Sequence, residues 1–172
     1  MDTASKPAMT PEFATGLRDF LLVGVENEFP TTKKVLAAVP VGEYRPDPKA
    51  RTASELARHI AEVEVQFLHE IANLEFKMEP MYKDIPDDIP GLVSWYETEF
   101  PKGVQRVRAM TPEQLTTPVD FYGVMKMPAV NYLTFVEKHS IHHRGQLATY
   151  LRPMGSKVPD IYGGSADEPF NP

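Results

Sequence analysis

Three of the chain's five histidines, His139, His142 and His143, fall within five positions of EKHSIHHRGQLATYLR, residues 137–152. His139 and His143 are spaced i, i+4, which on a helix puts both side chains on one face, about 5 to 6 Å apart at Cβ. Two imidazoles so placed can hold one metal ion together, whereas His142 turns off that face and is expected to meet solvent or cap the helix. One helix supplies at most two ligands in this geometry, and a transition-metal site normally needs a third. His59, in ELARHIAEVE, is the candidate, because it interrupts an apolar stripe just as His139 and His143 do. Three neutral imidazoles suit Zn, Ni, Fe or Cu far better than Mg or Ca, and they leave coordination positions open for water or substrate. The same residues also permit a metal-free polar cluster, in which the histidines bond to one another and to backbone. That arrangement leaves buried nitrogens in need of partners, at roughly 1 to 3 kcal/mol for each one unsatisfied. His69 falls off the stripe and is expected on the surface; Glu62 is expected on a solvated face, with orienting an imidazole or reaching the metal as its alternative.

The elements that must bring these residues together are legible from caps and periodicity. TPEF at Thr10 to Phe13 predicts a helix start with Pro at the first helical position. Phe13, Leu17, Phe20, Leu21 and Gly24 follow at helical spacing, and the helix ends before Pro30 or runs on to about Ala38. Residues 39–51, VPVGEYRPDPKAR, are too rich in Pro and Gly for a helix and read as an extended crossing. Thr52 and Glu55 form a capping-box pattern, after which Leu56, Ile60, Val63, Phe67, Ile71 and Leu74 share a face with His59. A second Pro-rich link precedes a third helix from about Leu92, with Leu92, Val93, Tyr96, Phe100, Val104 and Val107 inward and Pro101 predicting a kink or break. TPEQL makes one short turn, and TTPVDFYGVMKM is irregular or weakly strand-like. The last helix starts near Pro128, and its stripe of Leu133, Val136, Leu147, Tyr150 and Leu151 has a gap at positions 139, 140 and 143 that the histidines fill. From Gly155 the tail has no helical period and is expected to wrap the surface or rest on a partner subunit. The whole predicts an all-α four-helix bundle with long crossing connections and an extended C-terminal tail, as a single domain over residues 1–172.

Composition narrows the chemistry. The 172 residues include no cysteine, which excludes disulfides, a thiolate metal site and a cysteine nucleophile. A formal charge of −6 with no Lys/Arg cluster argues against nucleic acid as a partner. No apolar run approaches the roughly 18 residues of a membrane span, and MDTASKPAMT lacks a signal-peptide core, so a cytoplasmic location is expected.

ELARHIAEVE, HSIHHRGQLATYLRPMG and VPDIYGGSADEP, with the RPDPKARTASELA approach to the second helix, together resemble the DinB-like family, also called DinB/YfiT-like. The resemblance implies a four-helix bundle whose metal is held by one histidine of the second helix and the HxxxH pair of the last, here His59, His139 and His143. It implies one divalent transition metal (Zn, Ni, Fe or Mn), a small-molecule substrate and a homodimer. Characterised relatives include thiol-dependent S-transferases, a mycothiol-dependent maleylpyruvate isomerase and a hydrolase. A thiol transferase or a hydrolase is thus the expected type of enzyme, and without cysteine the former needs a low-molecular-weight thiol as cofactor. A noncatalytic metal-binding or assembly bundle is the alternative, since fold and site do not fix chemistry. Within the matching HHRGQ segment, Gly145 is expected to permit close helix approach, and Arg144 and Gln146 to serve packing or an interface, or to support the metal ligands. Tyr162 and Asp160 of the tail are expected to be structural, with a place across the open metal face as the alternative.

Overall fold

Each of the first three long helices starts where a side chain takes up amide groups that the first turn leaves free. In the computed structural model, which describes residues 9–170, α1 (Pro11–Ala37) opens on Thr10, whose hydroxyl accepts from the Phe13 amide at 3.3 Å. α2 (Ala53–Asn73) opens on the expected capping box: the Glu55 amide donates to Thr52 Oγ1 at 3.1 Å and the Thr52 amide to Glu55 Oε2 at 2.7 Å. α3 (Ile89–Arg108) begins before Leu92, because Asp88 caps it by accepting from the Gly91 amide at 2.8 Å. TPEQL opens the short α4 (Pro112–Thr116), with Thr111 as its cap accepting from the Gln114 amide at 3.3 Å. The weakly strand-like stretch pairs as an antiparallel hairpin of β1 (Pro118–Phe121) and β2 (Met125–Pro128), with Val119 opposite Met127. A 3-10 turn, Ala129–Tyr132, then leads into α5 (Leu133–Leu151).

The four long helices form a ring in which α2 packs on α3 and α5, and α1 packs on the same two. Helices α1 and α2 are therefore diagonal, as are α3 and α5. This explains the long connections: residues 39–52 cross the end of the bundle, and α4 with the hairpin bridges the second diagonal. In α3 and α5 the buried seam follows the apolar stripe read from spacing, with Leu92, Tyr96, Phe100, Val104 and Val107 in one and Leu133, Val136, Leu147, Tyr150 and Leu151 in the other; in α1 and α2, wedged between two neighbours, it does not. In α2 the core set is Leu56, Ala57, Ile60, Ala61, Glu64, Val65, Leu68 and Ile71, while Val63 and Phe67 are half-buried. In α1 it is Ala14, Leu22, Val25, Thr32, Val35 and Leu36, and the expected Phe13 and Phe20 face outward. Close approach of α2 and α3 rests on Gly103, where an added Cβ would meet Leu68 Cβ at 2.8 Å.

Both internal prolines are accommodated without a helix break, contrary to the break allowed at Pro101. Pro30 and Pro101 are exposed, so the carbonyl four residues back, which loses its amide partner, can turn toward water. The tail from Gly155 wraps the bundle: the Ser156 hydroxyl donates to the Ala38 carbonyl at 2.7 Å, and Arg152 pairs with Asp167 at 3.0 Å. The N-terminal stretch read for a signal peptide lies, apart from its last two residues, outside the described residues, as do the final two of the tail. Among the described residues no helix is long and apolar enough to cross a membrane.

Candidate metal centre

The α2–α5 seam brings together His59, His139 and His143. One ring nitrogen of each lies within 4.8 Å of the other two, and all three residues are half-buried. Nε2 of His59 and Nε2 of His139 are 3.1 Å apart. Ligands bound to one tetrahedral ion at 2.0 to 2.1 Å stand about 3.3 Å from each other, so this spacing fits a shared ion. The rings are mutually edge-on, with centroids 4.5 to 4.9 Å apart, which points nitrogens inward rather than stacking the faces.

The protonation states suit ligation. Burial, with the positive charge of Arg51 and of a neighbouring imidazole, pulls His59 down to about 4. Burial and the other histidines pull His139 down to about 3, and burial lowers His143 as well. All three are therefore neutral at pH 7, as a metal requires. His143 Nδ1 lies 3.1 Å from Gln146 Oε1. An amide oxygen only accepts, so Nδ1 carries the proton and Nε2 is left with its lone pair. His139 Nδ1 is buried without a partner among the described residues.

Around the cluster the wall is aromatic on one side. Phe67, two turns along α2 from His59, lies nearly parallel to the His139 ring at 6.5 Å between centroids, and it packs on Phe76 and on Phe121 of β1. His142 is exposed, as its spacing predicts, and stands beside the His143 ring at 4.7 Å. Glu62 pairs with Arg58, at 3.9 Å, rather than with an imidazole. His69 is a correction: it is buried against α3, where Arg106 Nη1 donates to its Nδ1 at 2.8 Å. α2 buries a second face against α3, which a single-stripe reading leaves out. Gly145 is a second correction: it is exposed and a Cβ there would meet nothing within 4 Å.

A buried polar network went unread in the sequence. Tyr96 of α3 donates to Glu64 Oε2 at 2.5 Å, and burial raises the Glu64 carboxyl to about 7. Arg144, fully buried, pairs with Glu28 of α1 and donates to Thr32 Oγ1 at 3.0 Å; Thr32 and Ser140 share a further hydroxyl bond at 2.8 Å. Tyr162 of the tail is bonded to Arg144 and donates to Glu28 at 2.6 Å, and Asp160 caps the amides of Gly163 and Gly164. Those bonds give both tail residues structural roles and tie Tyr162 to α1. The available signal was Glu64, a charged residue four positions after Ile60 on the buried stripe.

A helical bundle with a histidine triad set between its second and last long helices is the class these features define. The chain belongs to the DinB family, whose sequence pattern matches residues 24–169. It is 28% identical to YjoA of Bacillus subtilis (strain 168) over 116 residues, 65% of this chain and 73% of that one. It is 38% identical to YrdA of the same organism over 58 residues, 34% of each chain, so that match spans about a third of the relative's length. The crystal structure of the DinB-like YjoA superposes with a TM-score of 0.66 at 24% identity, covering 82% of this chain and 96% of that one. A DinB-like protein of Bacillus cereus ATCC 10987 gives 0.55 at 24% identity, over 91% and 100%. At that identity the two structures establish the shared fold.

Proposed function

We propose that this protein is a divalent-metal-dependent enzyme acting on a small molecule, of the thiol S-transferase or hydrolase type, with Zn, Ni, Fe or Mn held by His59, His139 and His143. The observation that carries this reading is the convergence of three neutral, half-buried imidazoles from two helices, with donor nitrogens within 4.8 Å. A three-ligand site leaves room for an exogenous group, and a divalent ion there lowers the pKa of a water or thiol so that a nucleophile exists near neutral pH. The chain's own residues do the rest: Gln146 sets the tautomer of His143, and Phe67 with the aromatic residues behind it shields one side from solvent. Lacking cysteine, a transferase of this kind takes its thiol from a low-molecular-weight cofactor. The setting is cytoplasmic, with neither nucleic acid nor membrane as partner, and the chain works as a homodimer; the outward-facing Phe13, Phe20 and Val23 of α1 support self-association.

The test is metal content by elemental mass spectrometry of untagged protein, alongside the alanine variants at 59, 139, 143 and 142. Near-stoichiometric metal in wild type and His142→Ala, lost in the other three, is expected. A wild type that stays empty after incubation with each of the four metals sinks the reading. Turnover that requires added thiol then separates transfer from hydrolysis, and a loaded protein without turnover leaves the metal as a staple between α2 and α5.

A further inference from the structure

The chain that follows α2 folds around a buried carboxyl. Glu70, near the end of α2 away from His59 and only 2% exposed, accepts through Oε1 from the Gln66 side-chain amide at 2.9 Å and from the Lys77 backbone amide at 3.0 Å. Its other oxygen, Oε2, is buried with no hydrogen-bond partner among the described residues. No cation pairs with this carboxyl among the described residues either. Lys77 is taken by Glu75 at 3.0 Å, and Arg106 by His69 and Asn73 at 2.8 and 2.6 Å. Burial accordingly raises the Glu70 carboxyl above the ordinary carboxylate range.

Glu70 lines a cavity of about 230 Å³, with Asn73, Glu75, Lys77, Glu79 and Met81 around it. The backbone enters the loop through Leu74 at φ 60°, and the loop is pinned from the hairpin by Tyr122, at φ 53°, whose hydroxyl donates to the Lys77 carbonyl at 3.0 Å. These are the two non-glycine residues with positive φ among the described residues, so the surrounding contacts hold the cavity wall in one shape against local strain.

A buried carboxyl without a cation takes up either a proton or a positively charged ligand. Glu75 and Lys77 cancel, which leaves Glu70 and the exposed Glu79 as the net charge of the cavity. A hard metal ion needs several oxygens converging on one point, yet among the described residues the three histidines are the one group of three or more ligands close enough together to hold an ion. A guanidinium fork needs both oxygens of a carboxylate, and Oε1 is committed. A primary ammonium is a compact charge that can take a single oxygen, and its aliphatic stem matches Pro80 and Met81 on the exposed side of the cavity. The exposed side chains of Glu79 and Met81 can swing aside as it reaches Oε2.

We infer that this cavity is a ligand site separate from the histidine centre, which takes a primary ammonium group on an aliphatic chain with Glu70 Oε2 as its anchor. It stands independently of the metal reading.

The experiment titrates butylammonium into the full chain, with calorimetry on wild type, Glu70→Gln and the control Glu113→Gln, an exposed carboxylate elsewhere whose loss changes the net charge equally. Glu70→Gln is expected to bind about tenfold more weakly, as the loss of one charge-assisted contact predicts, and Glu113→Gln to match wild type. Tetramethylammonium, which has the charge without the N–H donors, is expected not to compete. As a second readout on wild type alone, the amide signal of Lys77, which is bonded to Glu70, should shift on titration. Equal affinity in wild type and Glu70→Gln overturns the inference, as does a wild type that shows neither heat nor a Lys77 shift up to about 50 mM, where Glu70 carries a proton only. Calcium binding more tightly than butylammonium, with the same dependence on Glu70, overturns the ammonium assignment.

Discussion

Nε2 of His59 and Nε2 of His139 stand 3.1 Å apart, although 80 positions separate the two residues in the chain. Without an ion, one of these nitrogens must donate to the other; an ion held between them would take both as ligands.

Acid should destabilise the metal-free protein through these imidazoles. His59 and His139 titrate at about 4 and about 3 in the fold, against an ordinary value near 6.5. Their contribution to stability is complete above pH 6.5. As pH falls from there toward 4, the unfolded chain takes up protons that the folded chain refuses, and stability declines. Melting temperature followed from pH 8 to 4.5 should fall below pH 6.5, and the double variant His59→Gln, His139→Gln should lose part of that slope. An unchanged slope in the double variant would show that other groups carry the acid sensitivity.

Gln146→Leu removes the acceptor that keeps the His143 proton on Nδ1. Loss of such a supporting bond lowers metal affinity about 10- to 100-fold. Competition with a chelator of known affinity reads this directly, and Gln146→Glu, which keeps an acceptor oxygen, should restore most of it. Equal affinities in wild type and Gln146→Leu would remove Gln146 from any supporting role.

Arg144→Met strips the cation from a network that joins α1, α5 and the tail. Glu28 is left largely buried without its partner, and breaking such a pair costs about 3 to 5 kcal/mol. Tyr162→Phe removes only hydroxyl bonds and should cost about 1 kcal/mol. Denaturant titration ranks the two, and limited proteolysis should cut the tail sooner in both.

Gly103→Ala and Gly145→Ala should move stability in opposite directions. At Gly103 the new methyl meets Leu68 Cβ, a backbone-anchored atom, at 2.8 Å. α2 and α3 must then separate, at a cost of about 1 to 3 kcal/mol. At Gly145 the methyl enters open space on a helix interior, where alanine gains about 0.5 to 1 kcal/mol over glycine. Thermal melts of the two single variants decide the matter, and destabilisation by Gly145→Ala would restore that residue to a packing role.

Helix starts were legible because capping is local chemistry: Thr10, Thr52 and Thr111 each act on amides within three residues, and their signals survive without any knowledge of the fold. The histidine triad was legible for a related reason. His139 and His143 share a face by helical spacing alone, and His59 marks α2 by interrupting its apolar pattern. What spacing cannot say is which face meets which helix. The ring order that sets α2 between α3 and α5 gave α2 two buried sides, put His69 against Arg106, and left Phe13 and Phe20 outside. Arg144 is the plainest case. By type it belongs on a surface, and it is fully buried only because Glu28, Thr32 and Tyr162, from 116, 112 and 18 residues away, converge on its guanidinium. Periodicity determined which residues travel together on one helix; only the packing of four helices decided which of those sets became core, histidine cluster or buried ion pair, because each outcome depends on partners that are distant in the chain.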